Sequence, residues 1–207
     1  MNYPQNETAL LLVDPLNDFM SRLGKGRPLV RKVSMQVNLL HNLEKLSDTF
    51  RGKGWPVFYA PHHRYRRGSF GDQKYLHPTQ VLQKLTHFFK ADAFGGNFFP
   101  RLKPQPEDIV ASEHDCSSGF MGTDLHEKLQ SKGISHIVIA GFLSNTCIES
   151  TARSAIDLGY HVTLLEDAVA SWTPKDHWAA VKLNYPHIAH ELTNTEGLIK
   201  SIGASNV

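Results

Sequence analysis

Short apolar runs alternate with amphipathic stretches along most of the chain, which is typical of a parallel sheet covered by helices on both faces. Strands are predicted at residues 9–14, 56–60, 108–112, 136–141, 161–165 and 187–192. Helices are predicted at about 30–53, 123–131 and 146–158 and from about 174, with a terminal turn from 195. This order predicts an α/β fold, a single Rossmann-like domain over residues 1–207 with about six mostly parallel strands.

One long segment, residues 61–106, interrupts this alternation. It lacks clear periodicity and is rich in aromatic and basic side chains. A segment of this kind more often forms a lid or a subunit contact than a linker. We therefore expect a homo-oligomer, a dimer being the simplest case, in which a neighbouring subunit helps to close the site.

Composition narrows the range of partners. The chain has 207 residues, of which 41% are apolar, and a formal net charge of +2. The nearly neutral charge argues against nucleic-acid binding, and the apolar runs are too short to span a membrane. Two cysteines without C-x-x-C spacing, and no apolar leader at the N-terminus, favour a cytoplasmic location. The expected partner is a small-molecule substrate.

Cys147 is the strongest candidate for a catalytic residue. It lies between an apolar run, residues 137–140, and a helical pattern, so it is predicted on a strand-to-helix turn. A thiolate at such a turn lies near the positive end of the helix dipole and near unpaired backbone N–H groups. Asp14, Glu113 and His114 also follow predicted strands, and ligands bind beyond the carboxyl ends of such strands. A thiol nucleophile is therefore favoured over a cysteine that only packs in the core.

Three segments, in this order along the chain, carry a family resemblance: residues 13–19, 118–125 and 141–147. They resemble the motifs of the isochorismatase-like cysteine hydrolases, the superfamily that includes nicotinamidases and N-carbamoylsarcosine amidohydrolases. The resemblance spans roughly residues 8–198. It implies a Rossmann-like sheet that carries an Asp, Lys, Cys triad.

The resemblance also implies roles for individual residues. Asp14 would accept the thiol proton, and Cys147 would attack a carbonyl carbon. The backbone N–H groups of Leu143 and Cys147 would hold the oxyanion. Members of the family often have a cis peptide bond just before the first of these donors, which here is the bond between Phe142 and Leu143.

The chain departs from the family pattern at the lysine. No lysine occurs between Asp108 and Thr123. Counting from the start of the predicted strand puts Glu113 in its place, whereas counting back from Phe120 puts His114 there. His114 could supply the missing positive partner of Asp14. Alternatively, Glu113 could share a proton with Asp14.

Other side chains are candidates for substrate binding. Asn17 follows the first predicted strand, and the rings of Phe19 and Phe120 could form aromatic walls for a planar substrate. His62 is expected to lie in a loop or to contact substrate. Nicotinamidase-like members bind a metal through an Asp-x-His spacing after the second strand, but residues 62–67 lack this spacing and include three arginines. We therefore predict no metal ligands.

These observations predict a cysteine hydrolase that cleaves a small amide, imide or carbamoyl-type C–N bond through a thioester at Cys147. Water would hydrolyse the thioester, so no cofactor is expected. Two alternatives remain open. One is an enol ether hydrolase of the isochorismatase type, with Asp14 as proton donor. The other is a catalytically impaired binding or regulatory protein, which would explain the missing lysine.

Overall fold

Six parallel strands form the central sheet of the computed structural model, which describes residues 3–204. They are β1 (Thr8–Val13), β2 (Val57–Ala60), β3 (Ile109–Val110), β4 (His136–Phe142), β5 (His161–Ala170) and β6 (Glu191–Thr193). The strand order is β3-β2-β1-β4-β5-β6, and every neighbouring pair is parallel. The predicted α/β class and the six-stranded parallel sheet are confirmed.

Helices cover both faces of this sheet. They are α1 (Asn17–Met20), α2 (Arg27–Gln36), α3 (Leu39–Gly52), α4 (Pro78–Thr86), α5 (Leu125–Ser131), α6 (Glu149–Asp157), α7 (Pro174–Ala179) and α8 (Thr195–Ala204). Side chains alternate along a strand, so Leu10 and Leu12 of β1 pack with residues of α2, α3 and α8, whereas Leu11 and Val13 pack with residues of α5 and α6. The two buried clusters are the two halves of the core.

The element boundaries differ from prediction in several places. The single helix predicted at 30–53 is two helices, because Asn38 adopts a left-handed backbone conformation with φ of 51°. Asparagine tolerates this conformation better than most residues, so the break occurs there. Strand β3 is only two residues long, and β5 continues to Ala170. Within residues 3–204, no helix is both long and apolar enough to cross a lipid bilayer.

The strand order reverses between β1 and β4, which lie side by side at the centre of the sheet. Chain segments leaving such neighbouring strands diverge and open a crevice at their carboxyl ends. Gly141 lies at this point with φ of 123°, and a Cβ atom there would approach the Val13 carbonyl oxygen to 2.1 Å. Glycine therefore permits the close approach of β1 and β4 beside the crevice.

The long segment at residues 61–106 packs over the carboxyl end of the sheet. It contains α4 and two short 3-10 turns, Phe94–Gly96 and Pro100–Leu102. The buried Asp18 carboxylate accepts a hydrogen bond from the Phe89 backbone N–H at 2.6 Å. The Asn17 amide donates to the Phe94 carbonyl oxygen at 2.9 Å. These contacts join the segment to α1 and place it above the crevice.

Candidate active site

Asp14 directly follows β1 and is fully buried. Its backbone N–H donates to the Ala60 carbonyl oxygen at 3.1 Å, and its φ of 56° turns the chain sharply after the strand. Asp14 Oδ1 lies 3.1 Å from His114 Nε2. Within residues 3–204, Asp14 Oδ2 receives no N–H or O–H hydrogen bond. One carboxylate oxygen is therefore paired with the imidazole, and the other is available to a further group.

His114 is held in place by backbone pairing beyond the end of β3. Its N–H donates to the Pro61 carbonyl oxygen at 3.0 Å, and its carbonyl oxygen accepts from the His63 N–H at 2.9 Å. The ring is fully buried, and among the described residues Nδ1 has no hydrogen-bond partner. Because a carboxylate oxygen only accepts hydrogen bonds, we assign the proton of the short contact to His114 Nε2.

Glu113 points away from Asp14. Its carboxylate accepts hydrogen bonds from the Arg64 backbone N–H at 2.8 Å and from Arg64 Nη1 at 2.7 Å. Neighbouring residues of an extended segment project to opposite sides, so His114 and Glu113 cannot both face Asp14. The alternative in which Glu113 shares a proton with Asp14 is therefore not supported by the geometry.

Cys147 lies in a π-helical turn, Ser144–Ile148, which joins β4 to α6. One donor atom from each of Cys147, Asp14 and His114 lies within 4.8 Å of the other two. Burial, and then the neighbouring Asp14 carboxylate, raises the pKa of the Cys147 thiol well above its ordinary value. The Thr146 hydroxyl, which donates to the sulfur at 3.9 Å, and then the Leu143 backbone N–H oppose this rise only in part.

The raised pKa corrects the expectation of a thiolate stabilised by the helix dipole. The α-helix begins only at Glu149, beyond the cysteine, and burial outweighs any effect of its positive end. With its pKa raised in this way, the resting sulfur keeps its proton, and the thiol donates to the Cys116 carbonyl oxygen at 3.9 Å.

The turn that carries Cys147 is braced from a distant part of the chain. Ser144 Oγ lies 2.9 Å from His177 Nδ1, and the Tyr185 hydroxyl donates to the Ser144 carbonyl oxygen at 2.9 Å. Burial, together with the charge of Lys182, lowers the pKa of His177 to about 4, so its ring is neutral at pH 7. The bond between Phe142 and Leu143 is cis, as the resemblance implies.

A narrow, mostly apolar cavity adjoins Asp14 and Cys147. It measures about 30 Å³, which is about the space of one water molecule. Its other lining residues are Phe19, His62, Thr79, Leu82, Gln83, Phe88, Phe89, Leu143, Thr146 and Trp172. Six of them, His62 and the five from Thr79 to Phe89, belong to the segment at residues 61–106. No lysine or arginine is among these lining residues.

Comparisons with known proteins agree with this architecture. Residues 8–196 match the family model described as "Isochorismatase domain". The chain belongs to the isochorismatase family. It is a hydrolase of that family, and the resemblance recognised in the sequence is confirmed.

Individual family members show how far the likeness extends. Ureidoacrylate amidohydrolase RutB of Variovorax paradoxus (strain S110) is 45% identical over an alignment of 179 residues, and the match covers 79% of this chain and 68% of the relative. The crystal structure of a cysteine hydrolase from Pseudomonas syringae pv. phaseolicola 1448A has a TM-score of 0.83 at 22% identity, covering 99% of this chain and 96% of that chain. This second match shows the fold alone.

A third match is a crystal structure of N-carbamoylsarcosine amidase from Thermoplasma acidophilum. Its TM-score is 0.66 at 26% identity, and the match covers 92% of this chain and 97% of that chain. The names of the Thermoplasma amidase and of the RutB relative both denote hydrolysis of amide bonds.

Among the substrate-binding candidates of this isochorismatase-family chain, the structure brings two of four to the cavity. Phe19 lines it, with its ring stacked on Phe142 at 4.8 Å between centroids. His62 lines it too, and burial, then His114, lowers the pKa of its imidazole to about 4. Asn17 instead uses its amide to hold the Phe94 carbonyl. Phe120 packs in the opposite half of the core, where its ring stacks on Tyr160 at 5.8 Å.

Sequence reasoning did not single out most of the cavity wall. Phe88 and Phe89 come from the irregular segment, and Trp172 comes from the chain after β5. The aromatic richness of residues 61–106 was the available signal, but it does not say which rings face the site. No local sequence pattern marks the residues that brace the turn carrying Cys147, which are Ser144, His177 and Tyr185.

The three central residues also have the composition of a metal site. Within residues 3–204, Asp14, His114 and Cys147 are the one group of three or more His, Cys, Asp or Glu residues whose possible ligand atoms approach closely enough to hold an ion. All three are buried. His63, by contrast, contacts Asp115 and the Ser69 hydroxyl outside this group.

Proposed function

We propose that the protein hydrolyses a small amide or carbamoyl-type C–N bond through a thioester at Cys147. The observation that supports this most is the buried convergence of Cys147, Asp14 and His114 within 4.8 Å beside a cavity. The amidohydrolase names of two family members favour amide cleavage over enol ether cleavage. We also propose a cytoplasmic location, because both cysteines are free thiols.

In the first step, Asp14 takes the thiol proton while the sulfur attacks the carbonyl carbon. The S–H bond breaks, the S–C bond forms, and the carbonyl oxygen becomes an oxyanion. The raised pKa of Cys147 means that proton transfer accompanies the attack instead of preceding it. The backbone N–H groups of Leu143 and Cys147 hold the oxyanion, and the Leu143 N–H already donates toward the sulfur.

In the second step, the oxyanion collapses and the C–N bond breaks. The leaving nitrogen takes the proton from Asp14, and the acyl group stays on Cys147 as a thioester. Water then gives a proton to Asp14 and attacks the thioester. When the C–S bond breaks, Asp14 returns this proton to the sulfur, so the enzyme ends as it began.

His114 orients Asp14 throughout these steps. Its Nε2–H group donates to Asp14 Oδ1, which leaves Oδ2 free to face the thiol. A lysine ammonium in this position would also donate a proton and would add a full positive charge. The imidazole supplies the hydrogen bond, so the proposed reaction does not require the lysine of the family.

The cavity wall favours an uncharged substrate. With no lysine or arginine among the lining residues, a substrate carboxylate would be buried without a partner, which costs several kcal/mol. The rings of Phe19, Phe88, Phe89 and Trp172 instead suit a flat apolar group. Because the space holds about one water molecule, side chains of residues 79–89 must move outward when such a group enters.

The test is ammonia release from paired compounds. Neutral primary amides and N-carbamoyl amines are each compared with an analogue that carries a carboxylate. We expect turnover of neutral members, an acyl adduct on the intact protein, and loss of both in Cys147→Ala but not in Cys116→Ser. Turnover that survives in Cys147→Ala would contradict the thioester mechanism, and preference for the charged analogues would contradict the substrate class.

We also propose that the chain forms a homo-oligomer around a small-molecule site. Helix α4 supports this, because Val81, Leu82 and Leu85 expose 41%, 39% and 78% of their surfaces. Exposed apolar side chains on one short helix are typical of an interaction surface. Light scattering is expected to give at least a dimer at micromolar concentration, and a monomer would contradict the proposal.

A further inference from the structure

The histidine beside Asp14 changes what this site can bind. A lysine ammonium has no lone pair and cannot ligate a metal ion, whereas an imidazole nitrogen can. With His114 present, the site offers a carboxylate oxygen, an imidazole nitrogen and a thiol sulfur. These are the three ligand types that zinc uses in proteins.

The donor atoms are close to the spacing that a tetrahedral ion requires. Ligands 2.0 to 2.3 Å from a zinc ion lie roughly 3.3 to 3.8 Å from one another. The His114 Nε2 to Asp14 Oδ1 distance is 3.1 Å, and all three donors lie within 4.8 Å of one another. Small side-chain rotations would therefore bring them to an ion. Asp14 and Cys147 line the cavity, so a fourth position would open toward it.

A buried oxygen of the site also suits a cation. Among the described residues, Asp14 Oδ2 is a buried carboxylate oxygen without a hydrogen-bond partner. A divalent ion would balance the Asp14 carboxylate and a Cys147 thiolate, leaving a buried site of zero net charge. None of the lining residues is a lysine or arginine that would repel the ion.

We propose that Asp14, His114 and Cys147 bind a thiophilic divalent cation of the zinc class and that this ion reversibly blocks the nucleophile. The S–H bond breaks, its proton goes to solvent, and a sulfur–metal bond forms. His114 ligates through the Nε2 lone pair, so its ring proton is carried on Nδ1. No electron is transferred. This departs from our expectation, made from the sequence, that the chain has no metal ligands.

Metal binding does not depend on the proposed hydrolysis, although the inhibition does. Binding is therefore measured first, with Co²⁺ added to the full-length protein under reducing conditions. A thiolate ligand gives Co²⁺ a charge-transfer absorption that carboxylate and imidazole ligands alone do not give. We expect this band at one ion per chain, and expect excess Zn²⁺ to remove it.

Three variants show which residues hold the ion. Cys116→Ser should keep the band, because this second thiol is outside the group. Cys147→Ser should lose it. His114→Lys should weaken Co²⁺ binding at least tenfold, and His114→Gln provides the same comparison if the lysine variant does not fold. The stacked rings of His136, His161 and His190 could also attract Co²⁺, but without a thiolate band.

Activity then tests the consequence. Micromolar Zn²⁺ should slow turnover by the wild-type protein at least tenfold, a chelator should restore it, and His114→Lys should be at least tenfold less sensitive. An absent thiolate band, a band lost in Cys116→Ser, or unchanged metal affinity in His114→Lys would overturn the proposal. A protein that gives the band but shows no turnover would contradict the hydrolase function while leaving the metal site intact.

Discussion

The two flanks of the crevice are built in different ways. On one flank, β1 and β4 pair over six consecutive residue pairs, and Asp14 and the turn that carries Cys147 directly follow these strands. On the other flank, β2 and β3 pair at only two positions, and His62 and His114 lie on irregular segments beyond them. The long paired strands hold the proposed nucleophile and base, and the loops hold the partner of the base and most of the cavity wall.

This difference indicates which parts of the site can change without loss of the fold. A residue directly after a long buried strand is positioned by the sheet, so replacing it mainly alters chemistry. A residue on a loop is positioned by a few contacts, and loops tolerate substitution and insertion more readily than strands. His114, proposed in place of the lysine that the resemblance implies, and the Phe88 and Phe89 rings of the aromatic wall are both on the loop flank.

The largest effect is expected from Asp14→Asn on the strand flank. The amide cannot take the thiol proton, so kcat should fall by about 10³-fold or more. Asparagine tolerates the left-handed conformation of this position, so the melting temperature should change little. Ammonia release and thermal unfolding measure the two effects. A variant with more than about a tenth of wild-type kcat would show that another group acts as the base.

The close approach of β1 and β4 is tested by Gly141→Ala. The added Cβ would meet the Val13 carbonyl oxygen at 2.1 Å, so the free energy of unfolding should fall by about 3 kcal/mol. Gly159→Ala is the matched control, since Gly159 also has positive φ but has no atom within 4 Å of an added Cβ. It should cost about 1 kcal/mol. Equal costs in denaturant unfolding would contradict the tight packing of this flank.

Each flank also contains a buried neutral histidine, His177 behind the Cys147 turn and His62 in the cavity wall. The pKa of each is about 4 in the folded protein, against about 6.5 for an exposed histidine. The unfolded chain therefore binds more protons between these values, and stability should fall as the pH drops from about 6.5 to 4.

For His177 the loss should be about 2 kcal/mol across that range. His177→Gln should flatten the pH dependence of urea unfolding. A variant whose pH dependence equals that of the wild-type protein would show that the ring is not buried and neutral as described.

The smallest effect is expected from Glu113→Gln on the loop flank. Glu113 is paired with the partly exposed Arg64, so losing its charge should cost about 0.5 to 1 kcal/mol of stability. Turnover should stay within about threefold of wild type, because the carboxylate does not face Asp14. A loss of turnover comparable to that of Asp14→Asn would show that Glu113 takes part in the reaction.

The strand flank could be predicted closely from the sequence. Apolar runs mark β1 and β4, and the residues that follow such runs, Asp14 and Cys147, come together when the strands are neighbours. The six-stranded α/β architecture follows from the same alternation. The runs do not show how strongly burial acts on the thiol, so a stabilised thiolate was expected at Cys147, whereas burial raises its pKa.

The loop flank could be predicted only in outline. Counting residues along the sequence could not decide whether Glu113 or His114 faces Asp14. The orientation of these side chains depends on backbone hydrogen bonds from His114 to Pro61 and His63. These bonds link segments about 50 residues apart, and no local pattern encodes them. Phe120 was expected in the cavity for its ring alone, but it packs against Tyr160 in the core.

The most direct test of the central claim is kcat/KM for wild type, His114→Ala and His114→Lys on the same neutral amide. If His114 orients Asp14, the alanine variant should lose about 10²-fold, because Asp14 loses its hydrogen-bond partner. The lysine variant, which restores a donor, should stay within about tenfold of wild type. An alanine variant with wild-type kcat/KM would contradict the account.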